Sequence, residues 1–437
     1  MDERTAILRK YNFWGSAIRQ AGYRRNEYTD KLVEYTGNRL IKVLVGQRRA
    51  GKSYILRQIA LQLITDGVKP ENTLIINREF ADFDFLHSYR DLNELIKFYR
   101  RELNPAGRVY LFIDEVQNIV GWEHVINSLS QDYTDEYEVF ISGSNSNMLS
   151  GELATLLSGR YIQVEVFPFS YSEYLGITQQ TEGYQSYANY VGSGGLPELF
   201  ALKTEELKYN YLSALQDTIL MRDIIQRHNI RDTQLLQDIF AYLVNNAANL
   251  LSVNNIVKYF KGIGRRTSYE IVATYIGYLE DTFVVHRCDR YNIKGKEILS
   301  GNAKYYTNDL AYKNYIYPGY GYGMGYLAEN LIYLELRRAG FNVYVGSIQH
   351  KEVDFVAIKG DRTLYVQSAY LLADLTTVER EYAALEIIGD NYEKYVVSLD
   401  PIAFPSKGGI KHIQAWRLNE MLRYPPFPAS SSALLLT

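Results

Sequence analysis

The eight residues at positions 46–53 carry the most specific chemical signal in this 437-residue chain. They read Gly-Gln-Arg-Arg-Ala-Gly-Lys-Ser, which is the glycine, lysine and hydroxyl spacing of a phosphate-binding loop. Glycine allows backbone conformations in which successive N–H groups point at an anion. Lys52 is expected to reach the β- and γ-phosphates of ATP, and Ser53 to ligate the accompanying Mg²⁺. The predicted nucleotide-binding residues are Gly46, Gln47, Arg48, Arg49, Ala50, Gly51, Lys52, Ser53 and Tyr54.

Two adjacent carboxylates, Asp114 and Glu115, close the apolar run at 109–113. A buried parallel strand delivers such acids to the carboxyl edge of an α/β sheet, where ligands bind. Asp114 is predicted to hold Mg²⁺, and Glu115 to orient or deprotonate the attacking water. Alone, an acid pair after a strand is equally typical of a helix cap. Downstream of a phosphate loop, the pair instead predicts hydrolysis of ATP.

Two more side chains complete the predicted catalytic set of Lys52, Glu115, Asn145 and Arg160. Asn145 and its neighbour Ser144 follow the apolar strand at 138–142, where small polar groups are suited to positioning water against a γ-phosphate. Arg160 precedes the strand at 161–166 and is placed to reach the γ-phosphate of a neighbouring subunit. The alternatives are an ordinary helix N-cap at 144–145 and a surface salt bridge at Arg160.

The elements that must position these residues follow from the apolar pattern. Short runs rich in β-branched residues predict strands, and apolar residues at helical spacing predict helices at 54–64 and 92–103. Strands that alternate with helices predict an α/β fold with a parallel sheet and flanking helices. The predicted strands are 41–45, 73–77, 108–114, 138–142 and 161–166.

Taken together, these motifs resemble a family of prokaryotic AAA-type ATPases whose members carry a C-terminal domain of unknown function. The motifs that carry the resemblance lie at 46–53, 111–117, 142–146, 157–160, 167–170, 194–198, 221–225 and 378–381. The resemblance implies a P-loop AAA+ ATPase core with ATP and Mg²⁺ as cofactors. It also implies that a helical lid covers the nucleotide.

The chain is long enough for several domains. The predicted limits are an N-terminal helical segment at 1–38, the ATPase core at 39–170, the helical lid at 171–232, a winged-helix domain at 233–312 and a degenerate nuclease-like α/β domain at 313–437.

The winged-helix prediction rests on three helical patterns at 235–244, 252–260 and 267–279, followed by two strands. In that fold the third helix enters the major groove of double-stranded DNA and the hairpin contacts phosphate. The candidate DNA-binding residues are Arg265, Arg266, Thr267, Ser268, Lys294 and Lys296. Winged helices also dock proteins, and a net charge of −3 does not favour DNA.

The last domain resembles a metal-dependent nuclease core through Glu329 and Asp354. Where the acid-x-lysine pair of such a core is expected, the sequence reads Gln-Ser-Ala at 367–369. An amide brings no charge to a metal, and alanine cannot stabilise a leaving oxygen. Nuclease activity is therefore not expected.

Composition limits the remaining alternatives. The hydrophobic share of 47% and the charged share of 22% are those of a globular protein. The single cysteine, Cys288, excludes an internal disulfide, and no apolar run reaches the length of a membrane helix, so a cytoplasmic protein is expected. The leading hypothesis is a Mg²⁺-dependent ATPase that couples nucleotide state to a DNA- or protein-binding region. The alternative is an ATP-dependent switch or scaffold for a protein partner, without nucleic acid. A homo-oligomer is compatible with both.

Overall fold

The computed structural model describes residues 3–15, 21–144, 150–318 and 323–422. The chain divides into two compact units. The first contains the ranges 1–178, 195–240 and 274–285, and the second contains 179–194, 241–273 and 286–437. The five predicted domain limits stay predictions.

The first unit is built on a parallel sheet, as the sequence predicted for an α/β fold. Its strand order is β2-β3-β4-β1-β5, and every neighbouring pair is parallel. Both faces of the sheet are covered, so its strands read as nearly continuous apolar runs. The strands are β1 (Ile41–Val45), β2 (Thr73–Asn77), β3 (Val109–Asp114), β4 (Tyr137–Ser142) and β5 (Tyr161–Glu165).

Successive residues of each strand point to opposite faces and enter two separate cores. Leu44 and Phe112 pack with Ile55 and Leu56 of the helix after β1. Val43 belongs to the other core, with the helices that follow β2 and β3. The helices of this part are α1 (Glu3–Tyr11), α2 (Asn26–Glu34), α3 (Lys52–Thr65), α4 (Tyr89–Leu103), α5 (Trp122–Ser130), α6 (Ser150–Leu156) and α7 (Tyr171–Thr178).

Helical segments also fill the region predicted to be a lid. Helix α8 (Tyr184–Ser193) belongs to the second unit, whereas α9 (Glu205–Thr218) belongs to the first. Helix α9 continues into a π-helical stretch at Ile219–Gln226. Across the described residues, we find no helix with the length and hydropathy needed to span a membrane.

The three helices predicted for a winged-helix region are present as α10 (Thr233–Asn245), α11 (Val253–Gly262) and α12 (Tyr269–Asp281). Helix α12 begins two residues later than the predicted helix at 267–279. Its start is set by Ser268, whose hydroxyl accepts a hydrogen bond from the Ile271 amide at 3.4 Å. Residues 265–268 therefore lie in the turn before the helix, not on its first turn.

The described strands of the second unit form one mixed sheet in the order β13-β12-β11-β10-β9-β7-β8-β6. The hairpin β7–β8 and the later strands share this sheet because β7 pairs in parallel with β9. The strands are β6 (Leu250–Leu251), β7 (Val285–Asn292), β8 (Glu297–Thr307), β9 (Asn342–Ile348), β10 (Lys351–Lys359), β11 (Arg362–Ser368), β12 (Glu393–Ser398) and β13 (Ile410–Gln414). The accompanying helices are α13 (Met324–Arg338), α14 (Leu375–Glu386) and α15 (Leu418–Leu422).

Candidate functional site

The phosphate loop connects the carboxyl end of β1 to the start of α3. Gly46 has φ +139°, and a Cβ there would lie 2.3 Å from the Val166 carbonyl oxygen, so only glycine fits. Gly51 has φ +99° and is the N-cap of α3. The loop thus places backbone N–H groups and the positive end of a helix dipole where an anion can bind.

Lys52 is the first residue of α3, and its ammonium lies inside the loop. It donates to the carbonyl oxygens of Gly46 at 2.8 Å and Gln47 at 3.0 Å. Burial lowers the pKa of this lysine, and the nearby carboxylates of Glu115 and Asp114 oppose that shift. The site therefore combines a buried cation with two acids at one edge of the sheet.

Asp114 ends β3 and is held by hydroxyl and amide donors. It accepts hydrogen bonds from the hydroxyls of Ser142 and Ser53 and, at 2.8 Å, from Asn77 Nδ2. Burial, and then the charge of Glu115, raise the pKa of Asp114 to about 6. A carboxylate beside a serine hydroxyl is a donor set that suits Mg²⁺, which prefers oxygen ligands. The predicted metal ligands Ser53 and Asp114 are thus brought together.

Glu115 adopts a left-handed backbone conformation, with φ +52°, immediately after β3. This turn leaves its carboxylate in the cavity beside the phosphate loop. Its Oε2 accepts from Ser144 Oγ at 3.0 Å and from Gln117 Nε2 at 2.5 Å. Ser144 therefore contacts the predicted base directly. Asn145, the other residue predicted to position water, lies outside the described residues.

The remaining loop residues differ in exposure. Gln47 and Ala50 are buried, whereas Tyr54 is exposed along the cavity wall. Arg49 has φ +67°, and its side chain is 60% exposed, with Nη1 3.5 Å from Glu198 Oε1. Arg48 points into a group of carboxylates, Asp223 and Glu79.

The cavity beside the loop has a volume of about 330 Å³. One set of lining residues is charged and includes Lys52 and Glu115. The other set is apolar or aromatic, as a planar nucleobase requires. Its members are Tyr23, Tyr54, Phe169, Ile177, Pro197 and Ala201. Tyr54 follows the phosphate loop and was predicted with it, whereas the other five come from distant segments and have no local sequence signal.

Arg25 ties the N-terminal segment to the phosphate loop, a role that sequence reasoning missed. Its guanidinium donates to both oxygens of Glu173, at 2.6 and 2.8 Å. It also donates to the carbonyl oxygens of Ala50 and Phe167, each at 2.9 Å. The residue is only 2% exposed. The position of the loop therefore depends on a buried ion pair between residues 148 positions apart.

Arg160 lies at the opposite edge of the sheet from the phosphate loop. Its carbonyl oxygen accepts from the Ile41 amide at 3.0 Å, at the start of β1, whereas the loop follows the end of β1. A strand of five residues spans roughly 16 Å. The exposed Arg160 side chain is thus displaced from the site of its own subunit, and action on a neighbouring subunit stays a prediction.

The candidate DNA-binding residues lie in two places of the second unit. Residues Arg265, Arg266, Thr267 and Ser268 form the turn between α11 and α12, and Arg266 is exposed there. Lys294 and Lys296 are both exposed in the turn of the β7–β8 hairpin. A role in binding DNA stays a prediction for all six.

The acids of the nuclease-like region surround a lysine from another strand. Lys304 Nζ lies 2.8 Å from Glu329, 2.8 Å from Glu352 and 3.2 Å from Asp354. Burial, and then the charge of Asp354, raise the pKa of Glu329 to about 7. Within the described residues, no cluster of three His, Cys, Asp or Glu side chains is arranged to hold a metal. The ammonium supplies the counter-charge of this cluster.

The solved structures that resemble this chain do so at low TM-scores. The Aeropyrum pernix ORC2 protein in its ADP form has a TM-score of 0.35 and 10% identity, covering 63% of this chain and 89% of that one. The Thermotoga maritima RuvB Holliday junction branch migration motor has a TM-score of 0.30 and 14% identity, covering 60% and 89%.

Sequence comparison is more informative. Residues 38–175 match an AAA domain, and residues 184–318 match a domain of unknown function, DUF8612. An uncharacterized protein of Haemophilus influenzae is 33% identical over 380 residues, which cover 86% of this chain and 92% of the relative. Uncharacterized protein MJ1544 of Methanocaldococcus jannaschii is 29% identical over 391 residues, covering 84% and 83%. With its phosphate loop and paired acids at one sheet edge, the chain belongs to the prokaryotic AAA-type P-loop ATPases that carry a C-terminal domain of unknown function.

Proposed function

We propose that the chain binds ATP together with Mg²⁺ in the cavity beside the phosphate loop and hydrolyses it to ADP and phosphate. The observation that carries this proposal is the placement of the Glu115 carboxylate in the same cavity as Lys52 and Ser53. A carboxylate next to the phosphate-binding groups favours water as the acceptor of the phosphoryl group.

Each residue has a distinct task in the proposed reaction. The loop amides and Lys52 bind the phosphates, while Asp114 and Ser53 hold the metal ion. When bound, Mg²⁺ neutralises charge on the phosphate oxygens. Glu115 orients water and accepts its proton, and Ser144 fixes the Glu115 carboxylate through the 3.0 Å hydrogen bond.

Two substitutions test this assignment. Lys52→Ala should weaken nucleotide binding, because the buried ammonium is lost. Glu115→Gln should keep binding but slow hydrolysis about a hundredfold or more, because an amide cannot accept the proton. Matched controls are Lys69→Ala and Glu102→Gln, at residues that do not line the cavity. Unchanged turnover in Glu115→Gln would show that the role of this carboxylate is wrong.

Coupling to the second compact unit is the other half of the proposal. Helices α10 and α12 each contribute residues to both units, so covalent elements run from one to the other. We propose that nucleotide state acts through them on a DNA-binding surface made by the arginines at 265–266 and the lysines at 294 and 296. Retention on duplex DNA should then fall steeply with added salt.

A protein partner is the second candidate for the same unit. Apolar side chains are exposed beside the basic turn, among them Tyr259, Ile263, Tyr269 and Ile271. Exposed apolar residues are more typical of protein docking than of phosphate contact. If the protein is not retained on duplex DNA at any salt concentration, the DNA-binding proposal is wrong and a protein partner is favoured.

A further inference from the structure

The side chain of Arg48 leaves the phosphate loop and enters a group of carboxylates. Its Nε and Nη2 each donate to an oxygen of Asp223, both at 3.0 Å, and its Nη1 donates to Glu79 Oε1 at 3.0 Å. The side chain is only 12% exposed. A forked pair of this kind fixes the plane of a guanidinium as well as its distance.

Both partners of Arg48 come from elements that frame the catalytic edge. Glu79 lies two residues after β2, and the last residue of β2, Asn77, donates to Asp114 at 2.8 Å. Asp223 lies in the π-helical stretch Ile219–Gln226 and is 9% exposed. Such stretches are rare and are frequent at functional sites. Arg48 is thus held by two acids that approach from different elements.

The other cations of the cavity have different surroundings. Arg25 is engaged by Glu173 and by backbone carbonyls, and Arg49 is largely exposed. Lys52 donates to carbonyl oxygens of the loop itself. Arg25 and Arg48 are both shielded guanidinium groups that line the cavity, and of the two Arg48 donates to an acid, Glu79, that lines the cavity with Glu115.

We propose that Arg48 contacts the γ-phosphate bound in its own subunit and stabilises the charge that develops during hydrolysis, with Asp223 and Glu79 as positioning residues. This inference rests on the proposed ATPase function. The water oxygen forms a bond to the γ-phosphorus while the bond to the β–γ bridging oxygen breaks, and the water proton passes to Glu115. In the transition state, negative charge is spread over the γ-phosphoryl oxygens, where a fixed guanidinium stabilises it, and the leaving oxygen stays on the β-phosphate of ADP.

Steady-state kinetics of Arg48→Ala, Arg48→Lys and Asp223→Asn test the proposal. We expect kcat of Arg48→Ala to fall about a hundredfold or more, and kcat of Asp223→Asn about tenfold. Affinity for fluorescent ADP should stay within about threefold of the parent, because ADP lacks the γ-phosphate. Guanidinium added to Arg48→Ala should restore part of the rate. If Arg48→Ala fails to fold, kcat and ADP affinity of Arg48→Lys and Asp223→Asn are compared with those of the parent instead.

Arg78→Ala is a matched control. Its side chain is similarly shielded, at 13% exposed, and pairs with Asp84 at 3.2 Å, but it does not line the cavity. We expect its kcat to stay within about twofold of the parent. The proposal is overturned if Arg48→Ala hydrolyses ATP as fast as Arg78→Ala, or if its ADP affinity falls by the same factor as its kcat.

Mixing experiments separate action within a subunit from action on a neighbour. If Arg48 acts on the site of its own subunit, mixing Arg48→Ala with Glu115→Gln does not restore ATP hydrolysis, because every site then lacks one of the two groups. If Arg48 acts across an interface, the same mixture restores ATP hydrolysis, because a site with Glu115 can receive Arg48 from its neighbour. Restored activity for Arg48→Ala would therefore overturn the assignment.

Failure of the proposed function can be told apart from failure of this inference. If the parent protein binds ATP without hydrolysing it, the ATPase proposal is wrong, whereas contact between Arg48 and the γ-phosphate can still be tested. Binding of a slowly hydrolysed ATP analogue relative to ADP then tests Arg48 directly. The parent should prefer the triphosphate, and Arg48→Ala should lose that preference about tenfold or more. An unchanged preference would refute contact between Arg48 and the γ-phosphate.

Discussion

Replacing Glu173 with Gln should strongly destabilise the first compact unit. Arg25 is 2% exposed and donates to both carboxylate oxygens of Glu173, so the substitution removes the charge of this partner while the guanidinium stays buried. Removing one partner of a buried ion pair costs about 3–5 kcal/mol. For a domain of this size, each kcal/mol shifts the melting temperature by about 2–4 °C, so a decrease on the order of 10 °C is expected.

The same substitution should weaken the response to nucleotide. Arg25 Nη1 donates to the Ala50 carbonyl at 2.9 Å, so a displaced guanidinium disturbs the phosphate loop. Ligand binding raises the melting temperature in proportion to RT ln(1 + [L]/Kd), and a weaker site gives a smaller rise. Thermal unfolding followed by circular dichroism, with and without ADP, measures both effects on one sample.

The neighbouring pair of Arg24 and Asp30 gives a matched control. Its atoms are 3.3 Å apart but its side chains are 56% and 65% exposed, so Asp30→Asn should cost less than about 1 kcal/mol. The double variant Arg25→Met with Glu173→Leu should regain much of the loss, because it leaves no unpaired charge. A Glu173→Gln protein that melts at the same temperature as Asp30→Asn would refute the reasoning.

Three further predictions concern other positions. Gly46→Ala should abolish nucleotide binding in calorimetry, because its Cβ would lie 2.3 Å from the Val166 carbonyl, whereas Gly67→Ala, with φ +102° and open space, should lose only some stability. The raised pKa of Glu329 means that the folded state binds its proton more tightly than the unfolded state does. Its stabilising contribution is present below about pH 4.5 and is lost as pH rises through about 7, so the parent should lose melting temperature relative to Glu329→Gln over that range. Arg160→Ala should slow ATP hydrolysis only at protein concentrations at which subunits associate, which a dilution series of the parent and the variant would detect.

The sequence predicted the sheet of the first unit and the residues at its carboxyl edge. Asp114 and Glu115 were found because the chemistry of a phosphate loop and its acidic strand requires fixed residue types in a fixed local context. Alternation of apolar runs and helical patterns was sufficient for the strands, since both faces of this sheet are buried.

Contacts between distant segments could not be predicted in the same way. Asp223 pairs with a residue 175 positions earlier, and Glu173 with one 148 positions earlier. Neither acid differs in local pattern from an exposed helical residue. The pairing of Lys304 with Glu329 could not be predicted for the same reason, because Lys304 lies on β8, outside the nuclease-like motif.

The strand order of the first unit constrains how the protein is made. β1 precedes the other strands in the chain, yet it lies between β4 and β5, which are synthesised last. Until residue 166 has left the ribosome, β1 lacks its complete β5 neighbour and the residue that packs against Gly46 is missing. A nascent chain should therefore acquire affinity for nucleotide only after residue 166 has emerged, and an arrested fragment that ends before β5 should expose apolar surface to chaperones.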